Sequence, residues 1–378
     1  MKKHQFVTFL VILFLFCGKG LQAQPEIIPL PIGSEAPDFN LRGIDGKYYT
    51  LADFSGYKVL AVVFWANHCP TAQAYEDRLI EMADKYRPKG VGFVAISPNS
   101  PDAVSLAELG YSDVGDDFDD MVIRARDKGY NFPYLYDGDD HKGSIPYGPV
   151  ATPHIFIFDT ERRLQYRGRI DDTENPYVTP NTSDAIDAIE ALLAGQEVDV
   201  QETRSFGCSI KWKWADQWKR NLESQWAEAP VSLELIDLKG AAGLVRNDGN
   251  KFRLINIWAT WCGPCVIEFP ELVTIDRMYR GRQFEFVSLS VDNPSRKEQA
   301  LTFLKEQQAA NKNYLYNSTD RYALMDVVDD LWLGPIPHTL LIAPGGEVVK
   351  RYAGMIDPLT VRRDIVEYLG RYFADDDR

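Results

Sequence analysis

The stretch "WATWCGPCVIEFPEL", residues 258–272, has a partial copy earlier in the chain, "FWANHCPTA" at 64–72. Aligned, Cys69 stands against Cys262 and Ala72 against Cys265, so the copy keeps the first cysteine of the Cys-x-x-Cys pair and lacks the second. Each stretch grows out of a strand-like run, "VLAVVFWA" at 59–66 and "FRLINIWA" at 252–259. A continuous apolar run of this length is expected of a strand buried on both faces. A helix is expected after each first cysteine.

Farther out the two halves keep the same order. The first continues with strand-like "VGFVAIS" at 91–97, "PHIFIFD" at 153–159 and "LQYRGRID" at 164–171, then a helix over "SDAIDAIEALLAG" that stops at Gly195. The second continues with "FEFVSLSVDN" at 284–293, "PHTLLIA" at 337–343, "EVVKRYAG" at 347–354, and a last helix with Asp357 as N-cap and Pro358 at its first position. The repeated order and the repeated Pro-His dipeptide predict an internal duplication. Each copy is too long for a solenoid repeat, and 378 residues exceed the roughly 200 to 250 that a single core holds. Two α/β domains follow.

Between the copies lies "FGCSIKWKWADQWKRNLESQW", residues 206–226. Trp214, Trp218, Leu222 and Trp226 recur every four residues, which predicts one helix whose apolar stripe packs between the domains, with Asp216 and Arg220 as an i,i+4 pair. The expected division is residues 1–23, 24–32 as a linker, 33–205, 206–229, 230–374, and an acidic tail at 375–378.

Residues 1–23 carry Lys2 and Lys3, a short apolar run, and Leu21 and Ala23 at the small-residue positions of a cleavage site. This reads as a secretory signal peptide cleaved near Ala23, because the run is too short to span a bilayer. Phe16 before Cys17 speaks against a lipoprotein signal, so no stable membrane anchor is expected. Losing Lys2, Lys3 and Lys19 takes the formal charge from -14 to -17, a balance that repels nucleic acid and anionic lipid. The expected destination is the periplasm. Four cysteines remain there, Cys69, Cys208, Cys262 and Cys265, and four permit three full pairings. Local spacing favours only Cys262 with Cys265.

Two thiols three residues apart at a helix start can close a small disulfide ring. The helix N-terminus favours the thiolate of the first, which lowers Cys262 from about 8.5 toward roughly 7 and makes it the nucleophile. Cys265, inside the helix, can then attack the mixed disulfide. Pro264 suits the helix start and Pro270 predicts a kink. The chain offers neither a second Cys-x-x-Cys nor a His-x-His cluster that would complete a zinc site, and no metal or cofactor is expected.

"WATWCGPCVIEFPEL" resembles the active site of the thioredoxin superfamily in its secreted TlpA-like and ResA-like branch, over residues 230–374. The resemblance implies two tandem thioredoxin-like domains, each a central mixed sheet flanked by helices. It makes Pro337 of "GPIPHTLLI" the cis-proline opposite the cysteines, Ile336 the backbone that pairs with a client strand, and Trp261 part of the client surface. It also makes Glu268 a proton acceptor for Cys265, beside the competing reading of a solvated surface glutamate. Asn256 stands where cytosolic thioredoxins carry a buried Asp. Gly-Pro between the cysteines resembles reducing members, with potentials of roughly -270 mV. Implied partners are protein disulfide clients and a reducing thiol donor in the membrane.

"GSEAPDFN" at 33–40, "NHCPTAQAYEDR" at 67–78 and "GCSIKW" at 207–212 resemble a peroxiredoxin-like, redoxin group of the same superfamily. Thr152 and Pro153 match the residues of the cis-proline turn, so a client groove is expected there too. The Pro and hydroxyl residue that peroxiredoxins place before the cysteine are here Val62 and Ala66, which argues against efficient peroxide reduction. Cys208 is the candidate partner of Cys69, with three readings open: a redox-active pair, a structural disulfide, or two unpaired thiols. His68 is read as a loop histidine rather than a thiolate partner, and "YDGDDHKG" at 136–143 as a turn without calcium-loop spacing. The expected protein is a secreted thiol–disulfide oxidoreductase. Its alternatives are a thiol peroxidase in the first half recycled by the second, and a client-binding adaptor with a structural disulfide.

Overall fold

A computed structural model describes residues 25–372, so the signal-peptide, cleavage-site and acidic-tail expectations lie outside the described residues. The first half forms strands β1 (Asn40–Gly43), β2 (Tyr48–Thr50), β3 (Val59–Phe64), β4 (Val91–Ser97), β5 (Tyr134–Tyr136), β6 (His154–Phe158) and β7 (Leu164–Gly168), with helices α1 (Pro70–Tyr86), α2 (Phe118–Lys128) and α3 (Asp184–Leu193). The strands order β2-β1-β5-β4-β3-β6-β7. β3, β4 and β5 are parallel, and β6 runs antiparallel to β3. Both β3 and β4 are buried along their whole length, as unbroken apolar strands between two layers must be.

The period-2 alternation of β3 supplies two cores. Val59, Ala61 and Val63 pack under α1 and α3 with Leu79 and Ile189. Leu60, Val62 and Phe64 face the other way, onto Phe39, Phe54 and Tyr147.

After a linking helix α4 (Gln217–Glu228), the second half forms β8 (Glu234–Ile236), α5 (Leu238–Arg246), β9 (Phe252–Trp258), α6 (Gly263–Tyr279), β10 (Phe284–Ser290), α7 (Lys297–Glu306), β11 (Lys312–Tyr316), α8 (Arg321–Val328), β12 (His338–Ile342), β13 (Val348–Ala353) and α9 (Pro358–Leu369). The sheet order is β13-β12-β9-β10-β11-β8, with β8 to β11 parallel and β12 antiparallel to β9. The duplication extends to register. His154 pairs with Phe64 and His338 with Ile257, at the ends of the strands that lead to the two cysteines. Both closing hairpins shift register at matching places, Ile157/Phe158 and Leu341/Ile342.

One local expectation is corrected. The expected stripe of Trp214, Trp218, Leu222 and Trp226 does not pack as one face: α4 starts only at Gln217, Trp218 is exposed, and of these three tryptophans only Trp226 is buried, beneath the Arg277 guanidinium. Trp214 is drawn off the helix because it stacks on Trp212, centroids 5.4 Å apart, with both rings edge-on to His141. The Asp216–Arg220 pair does form. In the second half, α6 continues through Pro270 to Tyr279.

The loop from β4 to α2 reaches the second half. Val104 and Leu109 join its core, Tyr279 donates to the Ser112 carbonyl at 2.7 Å, and Asp113 takes ion pairs from Arg363 and Arg371.

Candidate active site

β9 ends beneath α6 and delivers Cys262 to the N-cap, where its Sγ accepts the Cys265 amide at 3.2 Å. Cys262 and Cys265 form a disulfide, Cα atoms 5.3 Å apart. The Ile336–Pro337 peptide is cis, and the Ile336 carbonyl lies 3.6 Å from Cys262 Sγ. The turn that carries Ile336 is held from behind: Trp332 stacks on His338 and donates to the Pro335 carbonyl, while His338 and Arg351 converge on buried Asp329. Around this surface Trp261, Ile267, Leu333 and Met355 are all more than half exposed.

Glu268 is buried and not a solvated surface residue. One carboxylate oxygen accepts Asn256 Nδ2 at 2.9 Å and the other the Ile356 amide at 2.8 Å. Burial raises its pKa to about 7, and the two hydrogen bonds only partly oppose that. A carboxyl that titrates near neutrality, one helical turn beyond Cys265, is placed to exchange a proton at physiological pH.

In the first half, β3 delivers Cys69 to the N-cap of α1 in the same way. Its Sγ lies 3.4 Å from the Ala72 amide and 3.0 Å from the Thr152 carbonyl, and the Thr152–Pro153 peptide is cis. Thr152 is not open to a client. Its amide donates to the Cys208 carbonyl at 2.9 Å and its carbonyl accepts the Cys208 amide at 3.2 Å, an antiparallel bridge. Cys208 is thereby set against Cys69, and both are free thiols.

His68 does lie in the loop between β3 and α1, but there it is buried and paired rather than idle. Its Nδ1 meets Asp116 Oδ2 at 2.5 Å; the other carboxylate oxygen accepts the Asn67 and His68 amides, and Asn99 Nδ2 completes the set at 2.7 Å. Burial disfavours the imidazolium, but the Asp116 charge prevails and His68 moves up; Asp116, likewise opposed by burial, moves down. For Cys69, burial raises the thiol, yet the Cys208 hydrogen bond, the His68 charge and the Ala72 amide together bring it down to about 6. Cys208 moves the other way, because its hydrogen bond to the Cys69 sulfur holds its proton and partial burial disfavours its thiolate. Asp116 and Asn99 have no sequence signal, since nothing in the chain marks a partner 48 residues from His68. Val62 and Ala66, the peroxiredoxin slots, are fully buried and offer no hydroxyl.

A chain in which two mixed sheets each deliver a cysteine to a helix N-cap beside a cis-proline is a tandem thioredoxin-fold protein. Residues 32–167 match the AhpC/TSA family and residues 233–364 match Redoxin. The chain thus carries two thioredoxin-superfamily domains, the first matching the AhpC/TSA model and the second the Redoxin model. It is similar to the thiol-disulfide oxidoreductase ResA of Bacillus subtilis (strain 168), 33% identical over 123 residues that make up 32% of this chain and 58% of that protein. It is also similar to ResA of Halalkalibacterium halodurans, 26% identical, over 34% of this chain and 68% of that protein. Among solved structures, a hypothetical protein from Sinorhizobium meliloti 1021 is 32% identical, covering 49% of this chain and 96% of its own, with a TM-score of 0.44. A putative thiol:disulfide interchange protein DsbE from Chlorobium tepidum is 25% identical, covering 36% and 84%, with a TM-score of 0.29.

Proposed function

We propose that the protein is a secreted thiol–disulfide oxidoreductase that reduces disulfides of protein clients at Cys262 and Cys265. The observation that carries this reading is the N-capping Cys262, linked to Cys265 and facing the Ile336 carbonyl before cis-Pro337. In the reduced protein the Cys262 thiolate attacks a client sulfur and expels the other as a thiol. Cys265 then gives its proton to Glu268, attacks Cys262 Sγ and releases the client. Trp261 and Ile336 form the client surface. Resemblance to ResA supports the chemistry, and a thiol donor of the membrane returns two electrons per cycle.

Secretion rests on residues 1–23, and among the described residues no helix is long and apolar enough to cross a membrane. The first domain adds a second thiol pair, Cys69 with Cys208, supported by their contact beside Thr152 and Pro153.

The test is capture of a client. A Cys265→Ser variant incubated with a disulfide-bonded polypeptide is expected to accumulate a mixed disulfide at Cys262 that dithiothreitol releases. If no adduct forms at Cys262 while the wild type still reduces the client, this site is not the reductase.

A further inference from the structure

Equivalent positions in the two domains are treated differently. Ile336, before cis-Pro337, has no backbone hydrogen-bond partner among the described residues, whereas Thr152, before cis-Pro153, is bridged on both its amide and its carbonyl by Cys208. The strand beside the first cis-proline is thus supplied by the chain itself.

That strand is built to stay. Gly207 has φ +134°, and a Cβ there would stand 2.1 Å from the Thr152 carbonyl oxygen, so only glycine allows the approach. Phe206 packs on Tyr75 of α1, and Ile210 is buried. Beyond Cys208, the Lys211 amide donates to Asn99 Oδ1 at 2.8 Å, its carbonyl accepts the Ser100 amide at 2.8 Å, and its ammonium pairs with Glu108. The Lys213 amide donates to His141 Nε2 at 2.9 Å. Asn99 also holds Asp116, so one side chain ties this segment to the anchor of His68. Beneath it Cys69 is fully buried, while Cys208 is half-buried.

We propose that residues 206–213 are a permanent strap in the client-strand position of the first domain: they make Cys208 the disulfide partner of Cys69, exclude polypeptide disulfides from Cys69, and leave Cys208 as the sulfur at which outside thiols exchange. This rests on the reading of Cys69 and Cys208 as a redox pair. With the pair oxidised, an incoming dithiol attacks Cys208 Sγ as a thiolate; the Cys69–Cys208 bond breaks and Cys69 leaves with the electron pair. The second thiol of the reductant loses its proton and attacks the sulfur of the first. Cys208 leaves and takes up a proton. The reductant ends as a disulfide, and two electrons have entered the first domain. A low-lying thiol is the better leaving group in such an exchange, and Cys69, beside His68 and the helix N-terminus, has that character.

The test uses the mature chain carrying Cys262→Ser and Cys265→Ser, so that only Cys69 and Cys208 react. Oxidation with diamide, brief reaction with reduced glutathione, acid quenching and peptide mapping are expected to show a Cys69–Cys208 disulfide and then glutathione on Cys208 at least tenfold over Cys69. Absence of the disulfide overturns the pair and the strap with it. Formation of the disulfide with glutathione on Cys69 overturns the strap and leaves the pair standing. In a Gly207→Val variant that keeps its near-ultraviolet circular dichroism, labelling of reduced Cys69 by a bulky polymer maleimide is expected to quicken at least tenfold. An unchanged rate overturns the strap as the cover of Cys69.

Discussion

At the scale of single residues, two ionisable neighbours set the two thiol sites apart. Glu268 titrates near 7 because it is buried, so it is protonated below that value and ionised above it; in the proposed mechanism only the ionised form accepts the Cys265 proton. Release of client from the Cys262 mixed disulfide should accelerate as pH rises through about 7. In Glu268→Gln it should fall roughly 10²-fold at neutral pH and lose that inflection, the scale expected of a lost proton acceptor; stopped-flow release measured across pH 5 to 9 checks both. In the first domain the corresponding group is His68, whose charged form Asp116 favours. With Cys262 and Cys265 replaced by serine, thiolate absorbance at 240 nm should show Cys69 ionising at about 6. In His68→Gln the midpoint should move toward the roughly 8.5 of a free thiol. At pH 7 the native site is then mostly thiolate and the variant mostly thiol. An unmoved midpoint in a folded variant would remove His68 from the account. Because the folded value lies below that of a free thiol, the Cys69 thiolate also stabilises the fold above the free-thiol value, and that contribution fades as pH falls through about 6.

At the scale of elements, α4 shows how a periodic pattern can be redistributed by competing contacts. Trp226 is buried against Arg277, and Trp218 on the same helix faces solvent. Trp226→Ala should destabilise the protein by about 3 kcal/mol, the cost of a large aromatic lost from a packed position. Trp218→Ala should stay within about 0.5 kcal/mol of wild type. Urea unfolding of the two variants, compared at equal m-value, decides whether the linker helix packs through one tryptophan or through a stripe.

At the scale of the whole molecule, the loop between β4 and α2 joins the domains. One part holds Asp116 behind His68, and another places Val104 and Leu109 in the second domain's core. Asp113 on this loop is buried and receives Arg124 from its own domain with Arg363 and Arg371 from the other. Asp113→Ala leaves Arg124 buried without that partner, so a loss of about 3 kcal/mol is expected. Since two of the three cations come from the second domain, the single unfolding transition expected of the wild type should divide into two. Tryptophan fluorescence and far-ultraviolet circular dichroism that still coincide in the variant would show that the domains are held together elsewhere.

The duplication, the buried strands before each first cysteine and the helix starts at both cysteines were legible in the sequence, because each depends on short-range order: an apolar run, a Cys-x-x-Cys spacing, a repeated Pro-His dipeptide; the two cis-prolines were expected only from the family resemblance. The resemblance put Asn256 in the slot of a buried Asp, and the structure sets it against Glu268. What only the tertiary structure decided are partnerships across long stretches of chain. Asp116 reaches His68 through a loop with no periodic signal, and Asn99 binds both Asp116 and Lys211. Cys208 could be named from the sequence as the remaining thiol, but its backbone pairing with Thr152 could not, since bridging of that kind depends on how the sheet brings residues 152 and 208 together. A sequence carries periodicity and local spacing directly; hydrogen bonds between residues far apart in the chain exist only once the packed core has set the distances.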